Sequence, residues 1–445
     1  DGRELKVQVE EMHWLDLDRL VEVGLPSLTT LVIANPELTD EMLKTLTKLR
    51  GLRVLVLDHT FRLTADGLPH LGSLGGLEEL RLAGLNLASD AGLAAISDLA
   101  SLRVLDISRT PFRDAALVHV QSLASLKTIH LPDTVTDKGL AHLAGLTQLK
   151  HVSLGAGITD EGLAQMPALS SLEVIELKGN FTAAGLSHLA HLPALRRVVW
   201  YGDPTTEALE TLAKIKTLRE LHLVCRAISP EAMAALSHLT GLEEFTLEST
   251  GIGEHGVRLA EIVSGLPSLR RLALRNVPLG DEALARLSTV QTLKQLDLSG
   301  TTLTNPGLAP LGQHTALEKL ILDFTALTDD GLKHLSRMTA LRELGVAGTS
   351  VTSQGVMELH AALPGCAVLG VVGTHWRRMT FPWGPPRGTI FTTSDVLSPR
   401  ASWRLLGRAV GRIVVPEGDA AIHKTTFQGE SDLSFLRGLR HGDLQ

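Results

Sequence analysis

Apolar residues recur along the chain in one fixed pattern, Leu-x-x-Leu-x-Leu, whose x positions are often small, polar or charged. Fifteen copies begin at Leu28, Leu52, Leu77, Leu102, Leu126, Leu149, Leu172, Leu195, Leu218, Leu242, Leu269, Leu293, Leu317, Leu341 and Cys366. The copies follow one another at a period of about 24 residues, which predicts a stack of equivalent structural units rather than several independent domains.

Each copy predicts one strand followed by one short helix. The last two apolar residues are two apart, as in Leu296 and Leu298, which is the spacing of a strand with one buried face. A second block follows, such as TDEGLAQM from Thr159 or TDDGLKHL from Thr328. Its hydroxyl can cap free backbone N–H groups and its acid favours the first turn, so the block predicts a helix start. Such short helices are marginal alone and must pack against the strands and the next unit.

This pattern resembles the leucine-rich repeat family, and more narrowly the TD-x-GL subtype of many bacterial repeat proteins and of F-box-type, cysteine-containing-like receptor subunits of ubiquitin ligases. The resemblance runs from Leu28 to about Thr374. It implies an α/β fold, a leucine-rich repeat solenoid shaped as an open horseshoe. The parallel β-sheet would form the concave face and the short helices the convex face.

The turn after each strand departs from the family's usual residue. The family most often places Asn or Cys three residues after the last strand leucine, whereas this chain often has threonine. These positions are Thr60, Thr110, Thr134, Thr250, Thr301, Thr325, Thr349 and Thr374. We expect a buried hydroxyl at this position to satisfy backbone groups of the turn. The interval from Leu242 to Leu269 is the longest, so a longer loop or helix is expected there.

The periodicity divides the chain into four segments. Residues 1–27 contain an alternating Leu5, Val7 and Val9 and are predicted to form an N-terminal cap or degenerate repeat. The array of about fifteen repeats occupies residues 28–374. Residues 375–403 hold three of the five tryptophans and four prolines, which predicts a cap or linker. A partner-binding segment is the alternative there.

Residues 404–445 are predicted to start a further segment that leads into another repeat. Leu433, Leu436 and Leu439 are spaced as in the helix of a repeat, and the sequence then reaches Asp443-Leu444-Gln445. We therefore expect the chain to be part of a longer protein, in which a catalytic domain elsewhere is an open alternative.

Charge and cysteine content exclude several classes of protein. The 42 Lys and Arg are outnumbered by 49 Asp and Glu, so the chain lacks the basic field that attracts nucleic acid. No run of apolar residues is long enough to span a membrane. The two cysteines are about six repeats apart, which is too far for a disulfide bond between them. The low cysteine content slightly favours a cytoplasmic location. Cys225 is expected in an accessible turn and Cys366 in a buried strand.

The sequence contains no string typical of a catalytic centre, so we predict no catalytic residue, no cofactor and no metal. Residues 251–256 match GxGxxG, but they form the ordinary strand-to-helix turn of a repeat. Arg275 and Asn276 stand where a dinucleotide site needs an acid. Four histidines recur at one repeat position and are expected on the helix surface; they are His70, His142, His188 and His334.

The x positions of the strands predict where a partner would bind. Fifteen strands about 4.8 Å apart would give a surface roughly 70 Å long, which suits a macromolecule. From the eighth copy to the thirteenth these positions become charged or aromatic: Arg197, Tyr201, His222, Glu244, Glu248, Arg271, Arg275, Asp297, Lys319 and Asp323. An aromatic residue amid arginines and carboxylates is typical of interaction hot spots. The alternative is a solvated charged face without a partner.

The resemblance implies a non-catalytic scaffold that binds a protein on its concave face. Two alternatives stay open. The first is the substrate-receptor arm of a ubiquitin-ligase-like or effector protein, although residues 1–28 contain no evident adaptor-binding helix. The second is the sensory or regulatory region of a larger enzyme. The partner's identity and the oligomeric state are not predicted.

Overall fold

The structure is a computed structural model, and it describes residues 5–9, 28–33, 38–57, 60, 62–86, 90–370 and 411–414. The predicted segments 375–403 and 404–445 lie outside these residues, except for the strand Gly411–Val414. The chain divides into two compact units. Among the described residues, the first unit contains those up to Lys178, His191–Ala194 and the strand Gly411–Val414; the second contains Gly179–Ala190 and residues 195–370.

The strands of the first unit pair in parallel and in sequence order. They are β1 (Leu5–Val9), β2 (Leu28–Ile33), β3 (Val54–Val56), β4 (Glu79–Arg81), β5 (Val104–Asp106), β6 (Thr128–His130), β7 (His151–Ser153) and β8 (Val174–Lys178). Gly411–Val414 pairs antiparallel with β1. Each strand from β2 to β8 therefore belongs to one repeat of this unit.

The second unit repeats this arrangement with parallel pairing throughout. Its strands are β9 (Arg197–Tyr201), β10 (Glu220–Val224), β11 (Glu244–Glu248), β12 (Arg271–Arg275), β13 (Gln295–Asp297), β14 (Lys319–Ile321), β15 (Glu343–Gly345) and β16 (Ala367–Leu369). The predicted α/β repeat fold with parallel strands is confirmed.

Short helices connect the strands. The α-helices are Asp40–Leu46, Asp160–Ala164, Ala183–Ser187, Thr206–Ala213, Pro230–Ala235, Gly256–Ser264, Asp281–Leu287, Leu308–Leu311, Asp329–His334 and Ser353–Ala362. The 3₁₀-helices are Leu68–Ser73, Asp90–Asp98, Asp114–His119, Asp137–Leu143, His188–His191, Leu236–His238, Asn305–Gly307 and Leu335–Arg337. A 3₁₀-helix rises further per residue than an α-helix, so it covers the same length with fewer residues.

The longest repeat interval contains one of the longer helices of the described residues. Gly256–Ser264 has nine residues and lies between Leu242 and Leu269. None of the helices in the described part of the chain is both long and apolar enough to cross a bilayer.

The pattern residues form the core. The first residue of all fifteen copies is buried, with at most 5% of its surface exposed. The later apolar positions are also buried, as at Leu296 of β13 and Leu298 directly after it. Burying one such leucine contributes about 1.5–3 kcal/mol, so the repeated leucines dominate the stability of each unit.

An aspartate at the start of several helices links consecutive repeats, which the sequence did not reveal. In the first unit the Thr159 backbone N–H and hydroxyl donate to the two carboxylate oxygens of Asp137, at 2.8 and 2.7 Å. In the second unit Thr304 makes the same pair of bonds to Asp281, at 2.8 and 2.6 Å. Thr159 also caps its own helix, whereas Thr304 makes no capping bond. The predicted capping role of the hydroxyl is therefore only part of its function.

The glycine of the TD-x-GL block makes room for this aspartate. A Cβ atom at Gly162 would lie 2.1 Å from Asp137 Oδ1, and one at Gly307 would lie 2.3 Å from Asp281 Oδ1. Any side chain there would displace the carboxylate. The motif thus describes a contact between two repeats as well as a helix start.

The turn threonines mostly act as expected. The buried hydroxyls of Thr60, Thr110, Thr301 and Thr325 donate to the carbonyl three residues earlier, at 2.6–2.9 Å. The prediction is wrong for Thr250, which is exposed because the preceding Ser249 is buried in its place. Thr374 lies outside the described residues.

Candidate functional site

The ten residues predicted to bind a partner all lie in the second unit. They occupy the third, fifth and seventh positions of their copies, on strands β9 to β14 or, for Asp323, two residues after β14. Because alternate strand residues point to opposite faces, these positions share the face opposite the leucine core. We call these ten residues the charged strand surface.

Parallel pairing places the charged strand surface in register. Glu244 of β11 lies opposite Arg271 of β12, and Glu248 lies opposite Arg275. Residues in register on neighbouring strands are about 4.8 Å apart, which is within reach of long charged side chains. The surface is therefore a grid on which charged side chains of neighbouring strands can pair.

Glu220 of β10 is the centre of this grid, and the sequence analysis missed it. Its carboxylate lies 3.0 Å from Arg196, 3.2 Å from Arg197 and 3.9 Å from Arg271. Arg271 also pairs with Glu244, whose hydrogen bond raises the pKa of the Arg271 guanidinium. The Glu220 side chain is only 12% exposed, so these ion pairs draw the guanidinium groups towards a carboxylate that lies close to the sheet.

Further along the surface the charges also pair. Arg275 Nε lies 2.7 Å from an Asp297 carboxylate oxygen, and Lys319 Nζ lies 2.6 Å from Glu343. Such partly exposed pairs each contribute at most about 1 kcal/mol of stability. Their main consequence is a fixed pattern of charge.

Tyr201 and His222 form the aromatic part of the surface. Tyr201 is 40% exposed, and its ring centroid lies 6.5 Å from that of His222, with the planes tilted by 48°. Burial, followed by the charges of Arg275 and Arg197, lowers the pKa of His222. Its Nε2 is buried and has no hydrogen-bond partner. Both features favour the neutral form of the His222 imidazole.

Phe324 is a second exposed aromatic residue that the sequence analysis missed. It follows Asp323, is 71% exposed and has a φ of 56°. The equivalent positions in the repeats on either side are Gly300 and Gly348, both with positive φ. A bulky residue rarely adopts this left-handed conformation, so the backbone is strained here. The sequence contained a signal for this residue. The equivalent turns of three consecutive repeats read SGT, DFT and AGT, so phenylalanine stands where both neighbouring repeats have glycine.

Asp323 has a structural contact in addition to its predicted role. Its carboxylate accepts a hydrogen bond from the Ala347 backbone N–H at 2.7 Å, while burial raises its pKa. The Asp323 carboxylate therefore stabilises the turn that exposes the Phe324 side chain.

Three other sequence interpretations are tested by the structure. Cys225 was expected to be accessible, but it is only 8% exposed. Its backbone N–H donates to the Glu248 carbonyl oxygen at 3.0 Å, so parallel pairing continues one residue beyond β10. Burial raises the pKa of this thiol, so it is a poor nucleophile. Cys366 is buried as expected, with a pKa raised by burial to about 11. Gly251 and Gly256 allow close packing, since a Cβ there would lie 2.0 Å from the Arg226 carbonyl oxygen and 2.8 Å from that of Pro278, whereas Gly253 adopts a φ of 55°.

The first unit contains a cluster of possible metal ligands that no sequence pattern indicated. His130 of β6, His151 of β7 and Glu176 of β8 each bring one ligand atom within 4.8 Å of the other two. His151 Nε2 lies 2.9 Å from Glu176 Oε1. Burial lowers the pKa of His130. Burial by itself would raise the pKa of Glu176, but the hydrogen bond and charge of His151 and the hydrogen bond with Ser153 together outweigh burial and lower that pKa. The predicted surface histidines His70, His142, His188 and His334 are half-buried or exposed, as expected.

Known proteins resemble the chain in sequence and in fold. A family model described as a leucine-rich repeat region matches residues 39–306. The F-box/LRR-repeat protein 12 of Mus musculus is 34% identical over 121 residues, which are 26% of this chain and 37% of that protein. The chain thus spans little more than a third of this curated relative.

Among solved structures, an internalin from Listeria monocytogenes aligns with a TM-score of 0.40 and 19% identity, over 69% of this chain and 88% of the internalin. A leucine-rich repeat protein from Leptospira interrogans aligns with a TM-score of 0.37 and 20% identity, over 78% and 85% of the two chains.

Proteins built from such repeats are typically non-catalytic modules that bind other proteins on an extended surface. The family model covers more than half of the sequence, in agreement with the buried leucines and parallel strands. The chain belongs to the leucine-rich repeat family.

Proposed function

We propose that the chain is a non-catalytic scaffold that binds a protein partner through the charged strand surface and Phe324. The observation that carries this proposal is the exposure of aromatic side chains among fixed charges. In the described part of the chain the large exposed hydrophobic residues are Val118, Tyr201, Phe324 and Met357. Only Tyr201 and Phe324 are aromatic, and both belong to or adjoin this surface.

The strain at Phe324 supports the proposal. Left-handed backbone at a bulky residue costs about 1–3 kcal/mol, and the glycines of neighbouring repeats show that the fold does not require phenylalanine. An exposed aromatic ring gives little stability in return. A role in binding explains why this residue is present, since aromatic anchors dominate the energy of protein interfaces.

Photo-cross-linking tests where the partner binds. A photoreactive amino acid at position 201 or 324 is expected to capture the same protein from a lysate of the source cells. Met357 provides a matched control, because it is 40% exposed like Tyr201 but lies on the helix Ser353–Ala362 of the same unit. Equal capture at position 357, or no common species at 201 and 324, would contradict the proposal.

Exchanging the two charges of one ion pair then tests whether the pattern of charge contributes to binding of the partner. Reversing Arg275 alone would place a carboxylate beside Asp297, so the exchange Arg275→Glu with Asp297→Lys is better because it retains an ion pair. We expect the captured partner to bind at least about tenfold more weakly while the melting temperature stays unchanged. The matched exchange of Lys150 and Glu173, a pair 2.6 Å apart in the first unit, should leave binding intact.

The resemblance to F-box/LRR-repeat protein 12 favours a more specific second proposal, a substrate-receptor arm. Under this proposal the protein would also bind an adaptor through a segment outside the repeats. Co-purification of the full-length protein with a ligase adaptor would support it, and capture of a partner without any such adaptor would contradict it.

A further inference from the structure

The strand surface of the first unit brings three possible metal ligands together from three repeats. His130, Ser153 and Glu176 lie opposite one another on β6, β7 and β8. His151 lies two residues before Ser153 on the central strand. All four occupy alternate strand positions on the same face, so their side chains project from the sheet together.

We propose that His130, His151 and Glu176 bind a divalent transition-metal ion of the zinc class. Two imidazoles and one carboxylate are a ligand set that suits Zn²⁺, and three protein ligands leave a further position for water. Among the described residues this is the one group of three His, Cys, Asp or Glu side chains whose ligand atoms converge so closely.

The distances are compatible with a shared ion. Metal–ligand bonds of about 2.1 Å in tetrahedral geometry place ligand atoms about 3.4 Å apart. The three ligand atoms lie within 4.8 Å of one another, and His151 and Glu176 are 2.9 Å apart. Adjustments of about 1 Å, within reach of side-chain rotation, would close the site. His151 and Glu176 are 25% and 22% exposed, so an ion has access from solvent.

A hydrogen bond between His151 and Glu176 explains only two of the three residues. The ring of His130 meets that of His151 edge-on, at 5.0 Å between centroids and 78° between planes. This places a second imidazole beside the same carboxylate. A metal ion accounts for all three.

The neighbouring strand supplies a residue that would support the site. Asp106 of β5 lies opposite His130 in the parallel register. Histidine ligands commonly donate their second ring N–H to a carboxylate, which fixes the ring orientation. Asp106 is placed for that role as a positioning residue.

Titration of the full-length chain with Zn²⁺ alone, after treatment with a chelator, tests the proposal by calorimetry. We expect one site per chain whose affinity falls at least about tenfold in each of His130→Gln, His151→Gln and Glu176→Gln. His70→Gln and His334→Gln, which alter histidines on the helices, should leave this affinity unchanged. The absence of saturable binding, or equal binding by the native chain and all three variants, would overturn the site.

A second measurement needs no substitution. Carbethoxylation of histidines, mapped by mass spectrometry with and without Zn²⁺, should show protection of His130 and His151 but not of His70 or His334. Reactivity of His130 and His151 that Zn²⁺ does not change would overturn the proposal. Neither experiment uses the protein partner, so this result is independent of the proposed function.

Discussion

The strand surfaces of the two units use the same grid of positions for different chemistry. At β6 to β8 of the first unit, His130, His151 and Glu176 converge as ligand atoms. At β9 to β14 of the second unit, arginines and acids pair with one another, as Arg275 does with Asp297. Because parallel strands fix which positions are neighbours, the chemistry of each region depends on the residues at the x positions alone.

This difference shows that the repeat separates stability from function. Buried leucines and the links between aspartate and threonine are present in both units. Substituting an outward residue should therefore change binding with little change in stability, and substituting a residue of the scaffold should do the reverse. The following predictions test this separation in order of decreasing effect.

The largest effect is expected at the glycines that contact aspartate, equally in the two units. Gly162→Ala and Gly307→Ala should each lower the free energy of unfolding by about 1–3 kcal/mol, because the new Cβ overlaps Asp137 or Asp281. Urea denaturation followed by circular dichroism measures the change. Gly75→Ala in the first unit and Gly280→Ala in the second are matched controls, since a Cβ there meets nothing within 4 Å. A loss of stability for only one of the two variants would mean that the contact between glycine and aspartate does not stabilise the two units equally.

The sequence predicted this scaffold well but not the contacts between its repeats. Leucine spacing identifies strands and core because burial is a property of each residue in its own repeat. The aspartate link needs two repeats: Asp137 and Thr159 meet only when the units stack. Cys225 was misplaced for a related reason, since the parallel pairing that continues to this residue beyond β10 involves the next strand.

The three possible metal ligands were missed because they do not all occupy the same position of the repeat. His130 and Glu176 stand at the fifth position of their copies and His151 at the third, and each comes from a different repeat. Aligning the copies one beneath another, with the alternate positions marked, would have shown that these residues share a face. The same alignment would have shown Phe324 in a column where neighbouring repeats have glycine.

A smaller effect of opposite sign is expected at Phe324. Phe324→Asn should raise the free energy of unfolding by about 1 kcal/mol, because asparagine tolerates the left-handed conformation better than phenylalanine does. Asn276 adopts a φ of 56° at the equivalent position of another repeat. The variant should also bind the partner more weakly. Thermal unfolding and cross-linking through position 201 measure the two effects, and Val118→Asn, at an exposed residue of the first unit, is the control for loss of an apolar side chain. A destabilised Phe324→Asn would mean that the ring supports the fold.

The smallest effect concerns two histidines, one on each surface. Burial is the main cause that lowers the pKa of both His130 and His222. Their charged neighbours differ, because Asp106 raises the pKa of His130 whereas Arg275 lowers that of His222 further. Arg275→Gln should therefore raise the pKa of His222 towards its ordinary value, and Asp106→Asn should lower that of His130 further. Titration of the imidazole carbon–hydrogen signals by NMR in a chelator measures both shifts.

The lowered pKa of His222 also sets the sign of a change in stability with pH. Between its folded pKa and the ordinary value of about 6.5, the unfolded chain binds more protons than the folded chain. The contribution of His222 to the free energy of unfolding is therefore complete above about pH 6.5, and it is lost as the pH falls from there through the pKa of the folded chain. In urea denaturation, His222→Gln should lose less stability than the native chain between about pH 7.5 and about pH 5.5. Arg275→Gln should reduce the same loss in part, because it removes one of the charges that keep the imidazole neutral. Identical pH profiles for the native chain and both variants would show that the arginines on this surface do not act on His222, and the charged grid would then be a set of independent pairs.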